Sequence, residues 1–300
     1  MHKKLLVLFL VSFVEYLNAQ QFDTEKFKKH VYTLADDSLM GRGFGTQGGR
    51  MAEEYIVNQF KDAGISPWNG SFEHPFINDR MMVKIEGCNI IGWVEGSDPI
   101  LKDEFIVVGA HYDHVAYRIE DGKKIVYNGA DDNASGTATV IELGRWLTKN
   151  RHLLKRSVIL IAFDGEEAGL IGSNYLVKSE QIPVDQVKVM FSLDMTGMLS
   201  KYVGIDLVGN ETLDNGATLL NDLAAKHSIT VKNDGKKIEG QTDTAPFGKK
   251  GIPSVHVFTS TVSPYHRPED DPNLLDYDGM IKIAEFMTDV IVQLSSTETL

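Results

Sequence analysis

The chain has 300 residues, enough for one large domain or two modest ones and for a substantial apolar core. Its composition, 42% hydrophobic and 24% charged, excludes a disordered chain. A formal net charge of −12 excludes the basic surface that phosphate binding requires, and with it nucleic acid as the main partner.

Residues 1–19 have the layout of a secretory signal peptide: a basic start (His2, Lys3, Lys4), an apolar stretch over 5–14, and the small residue Ala19. That stretch is shorter than the roughly 20 residues a spanning helix needs. Cleavage is therefore expected rather than a retained anchor. The chain is expected to be exported, periplasmic or extracellular, without stable membrane insertion. The single cysteine, Cys88, can form no internal disulfide and reads as a buried, inert thiol.

Residues 20–300 read as one domain. The run DTEKFKKHVYTLADDSL predicts an amphipathic helix capped by Asp23 or Thr24. GRGFGTQGG reads as a loop. GGRMAEEYIVNQFKDAG has Ala52, Tyr55, Ile56 and Phe60 at helical spacing, with Gly64 placed to stop it. Strand-like runs follow over 81–85 and 89–94. From residue 105, four short and nearly continuous apolar runs appear: FIVVGA, VILIAF, VMFSL and SVHVF. Such runs suit strands buried on both faces. Helical patterns lie among them, in SGTATVIELGRWLTKN, GATLLNDLAAKHS and DGMIKIAEFMTDVIVQL. The alternation predicts an α/β protein, a three-layer α/β/α sandwich around a mixed, mostly parallel central sheet.

Chemistry-bearing residues follow each apolar run. After FIVVGA comes His111-Tyr112-Asp113-His114; after VILIAF, Asp164-Gly165-Glu166-Glu167; after VMFSL, Asp194; after SVHVF and a short loop, Tyr265-His266. The loop YNGADDNASG adds Asp131 and Asp132 ahead of a helix. The carboxyl ends of strands in open α/β sheets face the ligand crevice. Singly, each residue has an ordinary explanation: a turn, a helix cap, or a solvated first turn. Together, so many carboxylates facing one crevice repel one another unless a cation joins them. Imidazoles beside carboxylates favour zinc over calcium or magnesium. In a strand, residues two apart share a face, so Asp113 is placed to accept the second ring N–H of His111. His114 points the other way and reads as a packed or surface histidine.

The ordered set AHYDH, NGADDNASG, FDGEEAGLIGS, SLDMTGM and PYHRPEDD resembles the co-catalytic di-zinc aminopeptidases of the bacterial leucyl aminopeptidase type. The likeness spans most of the chain after residue 19. It implies two zinc ions. Asp131 would bridge them, His111 and Asp194 would complete one ion, and Glu167 and His266 the other. Asp113 would be the partner of His111, and Glu166 the general base and acid. Tyr265 matches a carbonyl-stabilising tyrosine of some members, and Asp243 matches a recurrent aspartate whose role stays open. The interval from Met81 to His111 is too short for the protease-associated insert of some relatives. The implied activity is an exopeptidase, an aminopeptidase acting on peptides. Rivals on the same scaffold are glutaminyl cyclase and carboxypeptidase or dipeptidase. A non-enzymatic zinc-binding relative is disfavoured, because none of the five ligand positions, nor Glu166, is altered.

Overall fold

A computed structural model describes residues 22–79 and 83–297. The expected signal segment, residues 1–19, and the start of the strand expected over 81–85 lie outside the described residues. The four apolar runs are all strands: β4 (Phe105–His111), β7 (Ser157–Phe163), β8 (Val187–Asp194) and β11 (Ser254–Phe258). They lie side by side in the order β7-β4-β8-β11, all parallel. Their carboxyl ends therefore share one edge of the sheet, with His111 level with Phe163 and Asp194 level with Phe258.

Around this parallel centre the sheet turns antiparallel. β3 (Ile85–Val94) runs against β7 and carries β1 (Ser66–Pro67) and β2 (Glu73–Asn78). On the far side, β9 (Ile205–Val208) runs against β11 and pairs in parallel with β10 (Val231–Gly235). The sheet is mixed as expected, but its parallel character is confined to the centre and the β9–β10 pair. A separate hairpin, β5 (Tyr117–Glu120) with β6 (Lys123–Val126), was not anticipated, because its residues are mostly polar and exposed.

Both faces of the sheet are covered, which explains the unbroken apolar runs. Ile106, Val108, Leu160 and Ala162 face one layer, with Phe27 and Val31 of α1 (Thr24–Leu34), Ile56 and Phe60 of α2 (Gln47–Asp62), and Val140 and Leu143 of α3 (Gly136–Lys149). Val107, Ile159, Ile161 and Phe163 face the other, with Leu176 of α4 (Ile171–Lys178) and a further short helix bearing Phe247. Alternate residues of one strand serve the two layers. Two more helices complete the first layer, α6 (Gly216–Lys226) and α8 (Tyr277–Ser296), with α5 (Leu199–Tyr202) a single turn between β8 and β9. No helix among the described residues is long and apolar enough to cross a membrane.

The caps follow the sequence closely. Asp23 accepts from the Glu25 N–H, Thr46 from Gly49, and Asp276 from Gly279. The first helix stops earlier than its periodicity predicts. Asp36 accepts from the Ser38 N–H and starts a new tight turn over Asp37–Arg42. The chain needs that turn to bury Arg42. Its guanidinium donates to the carbonyls of Leu34 and Asn128 at 2.6 Å, Tyr112 at 2.8 Å and Gly129 at 2.9 Å. Those carbonyls belong to α1, to the residue after β4, and to the loop before α3, so one buried cation ties three segments together.

Candidate metal centre

His111 is the last residue of β4 and is buried. Its Nδ1 lies 3.1 Å from the backbone carbonyl of Asp113. Donation there leaves the Nε2 lone pair free, and Nε2 faces Oδ1 of Asp132 and Oδ1 of Asp194, each at 3.4 Å. The expected partnership between His111 and Asp113 thus runs through the Asp113 main chain; its carboxylate is 3.7 Å away. That carboxylate instead accepts the backbone N–H groups of Glu166 at 3.0 Å and Glu167 at 3.2 Å. The strand geometry behind the expectation fails because β4 ends at His111.

The Glu pair sits on the turn after β7. Gly165 adopts φ +70°, a conformation costly for residues with a side chain. From that turn the two carboxylates diverge. Glu167 Oε1 lies 2.9 Å from His114 Nδ1 and 3.0 Å from His266 Nε2, and despite its burial these partners hold its carboxyl below the usual carboxylate range. Glu166 lines the cleft with His111, Asp194 and Tyr265. Burial pushes its carboxyl well up, against the pull of His111, with Asp243 and Asp194 adding to the rise.

The loop before α3 decides the centre. Asp270 accepts the backbone N–H groups of Asp131 and Asp132, all at 3.1 Å, fixing the loop from behind. Asp132 lies between the two clusters. Its Oδ1 faces His111, and its Oδ2 faces His266 Nε2 at 3.2 Å and His114 Nδ1 at 3.7 Å. Asp131, the residue expected there, turns away. Its Oδ1 accepts the Gly197 N–H at 2.8 Å, and its peptide carbonyl accepts from Ser135. Neighbouring residues of a non-helical loop project differently, so only one of the two can occupy the midpoint. Nothing in the pattern ADDN distinguishes them. Asp131 anchors the loop after β8 instead, and burial beside Asp270 lifts its carboxyl to about 8.

Three other residues carry more than the sequence indicated. His114, expected to be packed or on the surface, is buried beside Glu167 and Asp132. Asp270 and Arg42 hold the ligand-bearing loops; Asp270 lies in PYHRPEDD, but the sequence reading gave neither residue a role. Asp243 is buried, and burial lifts its carboxyl to about 6 against His111 and Ser173. Tyr265 is 45% exposed and stacks on His266 with ring centroids 3.9 Å apart. Burial of its hydroxyl among carboxylates pushes its pKa up, so it stays a proton donor at neutral pH.

The described residues thus form two groups that share Asp132: His111 and Asp194 on one side, His114, Glu167 and His266 on the other. Their chemistry fits zinc, with nitrogen and oxygen donors at close quarters. Asp132 Oδ2 and Asp194 Oδ1 are buried and accept no hydrogen bond, although ring nitrogens lie nearby. Such oxygens are costly unless a cation faces them. The ordinary values of the imidazoles are displaced too. Contacts with Asp132 and Glu167 raise His266 to about 10, and the surrounding carboxylates raise His111 despite its burial. A cation bound there would displace protons from these rings.

Residues 89–291 match peptidase family M28. The chain is 27% identical over 302 residues to leucine aminopeptidase 1 of Pyrenophora teres f. teres, covering 93% of this chain and 72% of that one. Among solved structures it is similar to BSAP, a zinc aminopeptidase from Bacillus subtilis, with TM-score 0.70 and 16% identity over 92% of this chain and 96% of that one. It is also similar to Porphyromonas gingivalis glutaminyl cyclase, with TM-score 0.72 and 17% identity over 91% and 99%. At those identities the structural likeness speaks for the fold alone.

Proposed function

The chain belongs to peptidase family M28, and we propose that it is a zinc aminopeptidase that removes N-terminal residues from peptides, with Asp132 placed to serve two zinc ions. The observation that carries the two-ion reading is the Asp132 carboxylate, with one oxygen turned to each group. His111 and Asp194 would hold one ion, and Glu167 and His266 the other.

Bound zinc supplies an activated water and a Lewis acid for the scissile carbonyl. The chain's own residues do the rest. Glu166 stands in the cleft with an elevated proton affinity, suited to take the proton of the attacking water and deliver it to the leaving amine. Asp113, holding both backbone N–H groups of the Glu pair, keeps Glu166 on the cleft side and Glu167 on the metal side. The Tyr265 hydroxyl, at the cleft wall, donates a hydrogen bond to the developing oxyanion. The signal-like segment over residues 1–19 supports export.

The test is hydrolysis of aminoacyl-p-nitroanilides beside metal analysis. Expected are two zinc ions per chain, loss of activity on chelation, recovery with zinc, and no cleavage of N-blocked peptides. A cyclised product from a Gln-initiated peptide, with no amino acid released, would replace this reading with glutaminyl cyclase.

A further inference from the structure

We infer that the two halves of the centre are built unequally, and that His114 is a fourth protein donor to the ion held by Asp132, Glu167 and His266. The inference rests on the di-zinc reading above. Four atoms face a common point: His114 Nδ1, His266 Nε2, Glu167 Oε1 and Asp132 Oδ2. Neighbouring pairs are separated by 2.9 Å (His114 to Glu167), 3.0 Å (His266 to Glu167), 3.2 Å (His266 to Asp132) and 3.7 Å (His114 to Asp132). Tetrahedral zinc with bonds of about 2.0–2.1 Å separates adjacent donors by about 3.3 Å. Four of the tetrahedron's six edges straddle that value, and all six lie within 4.8 Å. The two rings meet edge to face, centroids 5.5 Å apart at 74°, so their nitrogens arrive from different directions.

His114 cannot be dismissed as a bystander. It is 2% exposed, and its Nε2 has no hydrogen-bond partner. A neutral imidazole carries one proton. With that proton on Nε2, the Nδ1 lone pair is free for a metal. The backbone N–H of His114 donates to the Arg42 carbonyl at 3.2 Å, which keeps the residue at the centre after β4 has ended.

The other group offers three protein donors among the described residues: His111 Nε2, Asp132 Oδ1 and Asp194 Oδ1. Both groups border the same cleft, which Asp132, Glu166 and Glu167 line together with His111 and Asp194. Four protein donors are the pattern of a closed structural zinc site, and three that of an open catalytic one. The His114 half therefore fills first and retains its ion, whereas the His111 half exchanges.

The experiment titrates the metal-free full chain with zinc. X-ray absorption at one equivalent is expected to show two imidazoles per ion. One imidazole overturns the inference while leaving the di-zinc reading intact; a chain that takes up no zinc overturns both. In competition with a chromophoric chelator, His114→Ala is expected to weaken the tighter site at least tenfold and spare the weaker one. A folded variant, judged by circular dichroism, that binds both ions as tightly as the parent also overturns it. Should the variant fail to fold, the absorption experiment on the unaltered chain still decides.

Discussion

Glu166 and Glu167 share one clamp, the Asp113 carboxylate, yet their side chains part into different work. Glu166→Gln is expected to lower kcat by about 10²–10⁴-fold while zinc content stays near that of the parent; parallel rate and metal measurements check this. The aspartate pair before α3 divides in the same way. Asp132→Asn is expected to reduce the content of both ions after dialysis. Asp131→Asn is expected to leave zinc content near normal, since that side chain serves the Gly197 N–H. Equal metal loss in both variants would contradict the division. The sequence made most of this site legible, because His111, Glu166, Glu167 and Asp194 stand at or just after strand ends, and a buried parallel strand is easy to recognise. The resemblance implied Asp131, whereas the structure places Asp132 at the midpoint. That choice depends on Asp270 pinning two peptide N–H groups from 138 residues or more downstream. His114 shows a related limit: strand alternation points it to the opposite face, but β4 ends at His111 and the buried ring turns back to Glu167.

At the scale of elements, α1 and α3 are joined by a buried polar link rather than by packing alone. His30 of α1 lies 3.0 Å from Glu142 of α3 and 2.8 Å from the Tyr55 hydroxyl of α2, while Arg145 donates to Glu142 at 2.9 Å. Burial works against the Glu142 charge, but hydrogen bonds from His30 and Arg145 prevail and lower its pKa. A carboxylate with a lowered folded pKa stabilises above its unfolded value, near 4.3, and loses that contribution as pH falls through the folded one. Glu142→Gln is therefore expected to cost about 2–3 kcal/mol at pH 7. The gap to the parent should narrow as pH drops below about 4. Urea midpoints across that range give the measurement. A gap independent of pH would assign the loss to packing. None of this link could be read beforehand, because each helix shows only a period, and a period does not name the helix it meets. The helices themselves, and the cap at Asp23, were legible because they depend on residues within one turn.

Across the whole molecule, the groups placed to hold metal come from four strand ends or the loops after them and from one further loop, so binding would stabilise the assembly of the sheet as well as the cleft. Zinc at a hundred times its dissociation constant adds about 2.7 kcal/mol for one site. Chelation is expected to lower Tm by about 5 °C or more, read by calorimetry with and without zinc. An unchanged Tm would mean that zinc does not bind the folded chain in preference to the unfolded one. The position of His266 has one more consequence. It lies 155 residues beyond His111 in the chain, and Asp270, which pins the Asp132 loop, comes later still. A chain still being synthesised exposes His111, His114, Asp132 and Glu167 long before it can close the cage around an ion. Capture of an ion in the finished arrangement would thereby wait until His266 and Asp270 have been made.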